Sequence, residues 1–310
     1  MDKLLSICIP TYNRAANIKV QMERLSRLDK KIMDKCEILI SDNCSPDNTK
    51  EVVESFKNKF EFNYNRNAEN LGFDGNFLFI YTHAVGKYIW ILGDDDYILP
   101  DRLESLLKCL ESGDYGLVHI DTRTKCHDSK SKVYYNKEKF IEDVGIWITF
   151  ITANIINRNS IGSFDYNKYY GTCFLQVPQN LMAMIKNDRN LMYYQQLIDD
   201  MPSGNKNGGY NIFKVFVTNY IRIFNDFYIS KLISKSLLNK EIKISEHFIL
   251  PFAFRILVKK EVTGWSSEGA WDILNNHYGY SHIRFVILCF SIKKFVITLY
   301  RRFKSHVYIH

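Results

Sequence analysis

Four short apolar runs, each ending in a polar cluster and separated from the next by a helical pattern, constrain this chain more than any other feature. Residues 4–9 form the first run and stop at Pro10-Thr11-Tyr12-Asn13. Residues 36–40 form the second and stop at Ser41-Asp42-Asn43-Cys44-Ser45. Residues 60–65 form the third, followed by Arg66-Asn67. The fourth, Tyr88-Ile89-Trp90-Ile91-Leu92, leads into Gly93-Asp94-Asp95-Asp96. Their β-branched and aromatic content predicts buried strands. Helical spacing fills the gaps: residues 15–28, with Ile18, Met22 and Leu25 on one face; residues 49–57, capped by Asp47 or Asn48; residues 75–85; and residues 100–112, opened by Pro100. A fifth strand is predicted over residues 115–121. This alternation specifies an α/β fold, a Rossmann-like, mostly parallel sheet flanked by helices. Ligands of such sheets bind beyond the carboxyl ends of the strands, so the polar clusters are expected to share one crevice.

The triplet Asp94-Asp95-Asp96 is the most chemical of these clusters. Adjacent carboxylates at a strand end raise one another's pKa, and a hard dication such as Mg²⁺ or Mn²⁺ relieves that cost. Metals in such positions commonly hold phosphates.

Composition narrows the function. The chain has 310 residues, 46% hydrophobic and 24% charged, which is globular rather than disordered. Its formal net charge is +7. Much of the excess lies in residues 281–310 (Arg284, Lys293, Lys294, Arg301, Arg302, Lys304), which is local basicity and not a nucleic-acid surface. The 7 cysteines are irregularly spaced with no C-x-x-C, so a reduced cytosolic setting is expected rather than a disulfide framework or a zinc site. Met1 leads straight into the first strand, which reads as no signal peptide, and no apolar run reaches the ~20 residues of a membrane span. The first strand ends without glycine, so neither a dinucleotide fingerprint nor the phosphate loop of a nucleotidyltransferase is present.

Beyond Asp121 the pattern thins. Residues 125–139 read as a charged loop or hairpin, residues 146–156 as an apolar helix, and residues 203–209 as a glycine-rich loop. Aromatic residues at helical spacing (Phe213, Phe216, Tyr220, Phe224, Phe227) follow. His119 reads as a satisfied strand-edge residue and Asp121 as a weak acceptor-side candidate. The pattern divides the chain into an α/β domain (residues 1–202), a helical extension (203–280) and a basic amphipathic tail (281–310).

The polar clusters carry a family resemblance. Ser6-Ile7-Cys8-Ile9-Pro10-Thr11-Tyr12-Asn13-Arg14, Ile38-Leu39-Ile40-Ser41-Asp42-Asn43-Cys44-Ser45, Asn65-Arg66-Asn67 with Asn70-Leu71-Gly72, and Gly93-Asp94-Asp95-Asp96 with Pro100-Asp101-Arg102-Leu103 occur in one order over the first third of the chain. In this the chain resembles the family 2 nucleotide-sugar glycosyltransferases, which share the GT-A fold. The resemblance implies that Pro10 and Tyr12 line the nucleobase pocket, with Tyr12 stacked on the base. It implies that Asp42 accepts from a uracil-type N–H, that Arg66 lies near base and phosphates, and that Thr11, Arg14 and Asn43 belong to the same nucleotide site. By the same resemblance Asp94 would bind the ribose, Asp95 would coordinate the Mn²⁺ or Mg²⁺ at the diphosphate, and Asp96 would extend the metal cluster. The implied donor is a nucleoside diphosphate sugar, UDP-linked. The implied acceptor is a glycan or lipid-linked glycan of bacterial surface polysaccharide, the second half resembling the branch that adds deoxysugars. Inversion at the sugar is expected from the family. The expected setting is cytoplasmic, with peripheral contact to anionic lipid on the inner membrane's cytoplasmic face expected through the tail.

One motif of that family is missing. Its general base lies in the second half of the domain, where this chain reads Tyr169-Tyr170-Gly171-Thr172-Cys173-Phe174-Leu175 without a carboxylate. Asp165 is a weak candidate, and Asp199 and Asp200 are others. The alternative is a glycosyltransferase-like module that binds nucleotide or glycan without turnover.

Overall fold

A computed structural model describes residues 3–121, 131–161, 165–199 and 209–289. In Leu5–Thr11 (β1), Leu5, Ile7 and Ile9 point to one face and are fully buried, while Ser6 and Cys8 point to the other and are buried too. A strand buried on both faces must lie inside a sheet covered on both sides. The helices Ala15–Leu25 (α1) and Lys30–Lys35 (α2) lead to Cys36–Asp42 (β2), and Thr49–Glu54 (α3) leads to Asn63–Arg66 (β3). Gly72–His83 (α4), Tyr88–Ile91 (β4), Pro100–Glu111 (α5) and Leu117–Ile120 (β5) continue the alternation. Lys132–Tyr134 (β6), Lys137–Val144 (α6), Asn154–Asn157 (β7), Arg158–Ile161 (α7), Gln176–Lys186 (α8) and Asn190–Tyr193 (β8) complete this part.

The eight strands form one sheet in the order β3-β2-β1-β4-β7-β5-β8-β6. The β3-β2-β1-β4 half is parallel throughout, β5 pairs with β8 in parallel, and β7 and β6 run antiparallel to their neighbours. The sheet is therefore mixed but mostly parallel, as the alternating pattern predicts. One face packs Leu5, Ile7, Ile9, Trp90 and Leu92 against Ile18, Met22 and Leu25 of α1 and Leu103, Leu106, Leu107 and Leu110 of α5.

The expectation of a helix over residues 146–156 is corrected. That stretch makes two short 3₁₀ turns, Gly145–Thr149 and Ile151–Ala153, and then enters β7 in the middle of the sheet. This central strand is buried on both faces, and Asn154 and Asn157 bracket Ile155 and Ile156 without alternation, so its sequence has no period of two to separate it from a buried helix. Asn154 fixes the switch, its Nδ2 donating to the carbonyls of Trp147, Ile148 and Phe150.

The chain divides into two compact units, Met1–Gly204 and Asn205–His310. Within the second, Tyr220–Ile229 (α9), Lys235–Ala253 (α10) and Ala270–Tyr278 (α11) enclose a core of Ile212, Phe213, Val217, Ile249 and Leu274. Ser234 caps α10 by accepting from Leu237 N–H. No helix among the described residues is long and apolar enough to cross a membrane. Cys126, Asp200, most of the loop over residues 203–209 and residues 290–310 of the basic tail lie outside the described residues.

Candidate active site

Strand register brings the polar clusters together. Thr11 of β1 pairs with Asp42 of β2, and Asp42 pairs with Arg66 of β3. On the other side β4 runs beside β1, and Leu92 N–H donates to the Cys8 carbonyl, so Gly93–Asp96 leave the sheet next to Pro10 and Thr11. Four consecutive strand ends thus converge on one edge.

The acidic triplet is divided between three sets of partners. Asp94 is 7% exposed. Its Oδ2 accepts from Thr11 Oγ1 at 2.8 Å, and its Oδ1 lies 3.2 Å from Arg14 Nη1. Asp95 is more open, its Oδ2 only 2.7 Å from the same Arg14 nitrogen. Asp96 turns away: its Oδ2 accepts from the hydroxyl of Thr152, which itself accepts from Gly93 N–H at 3.0 Å. Burial pushes the Asp96 carboxyl up, and the Thr152 bond offsets part of that rise.

Asp94 responds to burial more strongly. Desolvation moves its pKa from 3.8 to about 7, Arg14 and Thr11 holding it down and Asp95 and Asp96 adding to the rise. A carboxyl that holds its proton more tightly in the folded state contributes stability below the unfolded pKa. That contribution is lost as pH rises through the folded value, here between 3.8 and about 7. In EDTA the wild-type melting temperature is therefore expected to fall more than that of Asp94→Asn between about pH 5 and about pH 8. Parallel melting curves for the two proteins would refute the assignment.

Asp42 is fully buried. Its Oδ1 accepts from Ser45 N–H at 2.8 Å, and its Oδ2 accepts from Tyr64 Oη and Arg66 Nη1, each at 2.8 Å. The carboxylate is thus a hub whose outward partner is Arg66, with a side chain 33% exposed. Asn43 is a second hub. Its Nδ2 donates to Asn70 Oδ1 and to the Gly72 carbonyl, and its Oδ1 accepts from Asn67 Nδ2 and Leu71 N–H. The turn it holds needs Gly72 at φ +71°. Tyr12 is 44% exposed at the edge, and Pro10 is half-buried.

Six supporting side chains escaped the sequence reading. Gln21 of α1, fully buried, donates to the Asp96 carbonyl and accepts from Ile98 N–H. Asn17, one turn earlier, donates to Tyr97 Oη, and Arg24, one turn later, donates to the Ile98 carbonyl and pairs with Asp199 at 2.8 Å. The polar i, i+4, i+7 spacing on the helix face that carries Ile18 and Met22 was the available signal. Thr152 and Tyr64 carried none.

Asp74, the sixth, organises the segment that lacks a carboxylate. It is 5% exposed, and its Oδ2 accepts from Gly171 N–H at 2.8 Å and Cys173 N–H at 3.0 Å. Its Oδ1 meets Leu175 N–H at 3.4 Å. Thr172 is buried and donates to the Tyr169 carbonyl. Asp165 is exposed and accepts from Asn167 N–H as the cap of a 3₁₀ turn. His119 is buried, its Nδ1 paired with Asn154 Oδ1 at 2.9 Å.

Two carboxylate oxygens, from Asp94 and Asp95, converge on one cationic nitrogen. That donor set suits a hard dication, for which one or two carboxylates plus substrate phosphates suffice. No group of three or more His, Cys, Asp or Glu side chains poised for a metal occurs among the described residues.

Fold and strand-end cluster define the class: an α/β protein whose polar groups gather beyond the carboxyl ends of a mostly parallel sheet. The chain belongs to glycosyl transferase family 2, whose model matches residues 6–171, and it is a glycosyltransferase. It is 28% identical over 253 residues, 73% of this chain and 75% of the relative, to the abequosyltransferase RfbV of Salmonella typhimurium. Over 112 residues, 35% of each chain, it is 30% identical to a Campylobacter jejuni GalNAc(5)-diNAcBac-PP-undecaprenol beta-1,3-glucosyltransferase. Among solved structures it resembles S. aureus TarS 1–349 in complex with UDP-GlcNAc, with TM-score 0.63 and 14% identity over 88% of this chain and 80% of that one. It also resembles the mannosyltransferase PcManGT of Pyrobaculum calidifontis in complex with GDP-Man and Mn²⁺, with TM-score 0.54 and 14% identity over 82% of this chain and 76% of that one. These two likenesses are of fold.

Proposed function

We propose that the protein transfers a sugar from a UDP-linked donor to a glycan or lipid-linked glycan in bacterial surface-polysaccharide synthesis, with inversion at the sugar carbon. The observation that carries this reading is the convergence of Asp94 and Asp95 on Arg14 where the ends of β1 and β4 meet. Tyr12 offers its exposed ring to the base. Arg66, oriented by Asp42, lies where base or phosphate would arrive, and Thr11 with Asp94 faces the ribose. Asp95, backed by Asp96 on Thr152, would hold Mn²⁺ or Mg²⁺. When bound, the metal neutralises charge growing on the departing diphosphate. The relatives named for abequose transfer and for a PP-undecaprenol glycan support a polysaccharide or lipid-carried acceptor. The protein acts in the cytoplasm, and its basic tail touches anionic lipid beside such an acceptor.

A second reading has one observation in its favour. The segment over residues 169–175 has no carboxylate, its threonine is buried, and Asp165 lies on an exposed turn. A module that binds donor without transferring sugar fits that arrangement.

A thermal-shift screen against UDP, GDP, CDP and dTDP, with Mn²⁺ and with EDTA, tests the donor reading. The expected result is stabilisation by UDP with Mn²⁺ that EDTA removes. At a ligand concentration of about 100 Kd, that amounts to about 2.7 kcal/mol. No shift with any nucleotide refutes the donor site. A shift without metal-dependent hydrolysis or transfer of the sugar favours the binding module.

A further inference from the structure

Arg14 occupies the point on which the carboxylates converge. Its Nη1 lies 2.7 Å from Asp95 Oδ2 and 3.2 Å from Asp94 Oδ1, and both carboxylates raise the guanidinium's pKa against the cost of its burial. A divalent ion held by the same oxygens would stand next to this guanidinium. Like charges at that spacing in a half-buried crevice repel strongly, so arginine and ion compete for the carboxylates.

The local backbone allows Arg14 to yield. The residues on either side of it are pinned, Asn13 N–H donating to Ser45 Oγ and Ala15 N–H to Asp47 Oδ2. The loop therefore stays in place while the side chain re-aims. A guanidinium suits phosphate oxygens as well as carboxylates, because its planar fork of donors matches both.

We propose that Arg14 is the resident cation of the free crevice: it holds Asp94 and Asp95, keeps free metal out, and passes to the donor's phosphates when a nucleoside diphosphate brings the metal in. This rests on the donor reading above. Metal and nucleotide then bind cooperatively, and by linkage each improves the other's affinity by the same factor.

The test is a titration of the full chain with Mn²⁺, followed by water-proton relaxation, with and without UDP. It compares wild type, Arg14→Gln and Arg14→Lys, with circular dichroism as the check on folding. Arg14→Gln is expected to bind free Mn²⁺ about tenfold more tightly than wild type, and the factor by which UDP improves Mn²⁺ binding is expected to shrink accordingly. Arg14→Lys keeps the charge without the fork and is expected between the two. Free Mn²⁺ bound no more tightly by either folded variant than by wild type overturns the proposal. If wild type shows a Mn²⁺-dependent UDP shift while the variants' metal affinity is unchanged, only the role of Arg14 fails. If wild type shows no UDP shift under any condition, the donor reading fails with it.

Discussion

Asp95→Ala is expected to abolish stabilisation by UDP with Mn²⁺ while leaving the free protein's melting temperature within about 2 °C of wild type. The two halves of this expectation have separate physical origins. Asp95 is more open than Asp94, with a side chain 18% exposed against 9%, and it pairs with Arg14. A partly exposed ion pair contributes about 0–1 kcal/mol, and its loss also removes a like charge beside Asp94 and Asp96. Folding therefore changes little. Binding changes greatly, because the remaining carboxylates are committed to Thr11 and Thr152. Loss of the group that anchors a charge-neutralising ion is expected to slow transfer by about 10²–10³-fold. The check is a thermal-shift titration of UDP with Mn²⁺ on both proteins, beside a transfer or donor-hydrolysis assay. A variant stabilised by the nucleotide and metal as well as wild type removes Asp95 from the site.

The site was legible where strand period and polar punctuation coincide. Residues 88–92 are aromatic or branched aliphatic throughout, their only polar side-chain atoms being Tyr88 Oη and Trp90 Nε1, so the run reads as buried and the triplet after it as lying at a sheet edge. Parallel pairing of β1 with β2 and β4 then placed Thr11, Asp42 and Gly93 together without further information. What could not be read is which carboxylate faces whom. Asp42 stands in sequence as an open acceptor, yet in the fold Ser45, Tyr64 and Arg66 already donate to it, and only register puts Tyr64 and Arg66 on that side. Asp96 is likewise indistinguishable from Asp95 until residues 151–153 form a turn and present Thr152 to it. That turn belongs to the stretch expected to be a helix, so one missing period concealed both a strand and a partner of the site.

Asp74→Ala is expected to have the largest effect on stability of any substitution near the crevice. The carboxylate receives N–H groups from Gly171, Cys173 and Leu175, which are about a hundred residues away in sequence and leave a bend rather than a regular element. Two residues of that bend, Gly171 and Cys173, have positive φ, at 82° and 58°, so the chain there does not satisfy its own donors. Tyr170 Oη adds a bond to the Leu71 carbonyl, and a Cβ on Gly75 would stand 2.8 Å from that hydroxyl, so the bend sits tightly on the first turn of α4. Removing the acceptor leaves three N–H groups without it, that of Leu175 buried and those of Gly171 and Cys173 in partly buried bonds, for a total on the order of 3–5 kcal/mol at about 1–3 kcal/mol each. In a unit of this size that lowers the melting temperature by roughly 6–20 °C. Asp74→Asn keeps one oxygen and turns an N–H₂ group on the remaining donors, so it is expected to lose somewhat less. Because Asn43 ties the same turn of α4 to the end of β2, the bend is part of the crevice's frame. Donor binding by whatever fraction remains folded is expected to persist, since Tyr12, Arg66 and Asp95 lie at the ends of other strands. Chemical denaturation monitored by tryptophan fluorescence, together with UDP titration below the melting point, separates the two effects. A melting temperature within about 2 °C of wild type would mean that the bend holds itself and that Asp74 is a bystander.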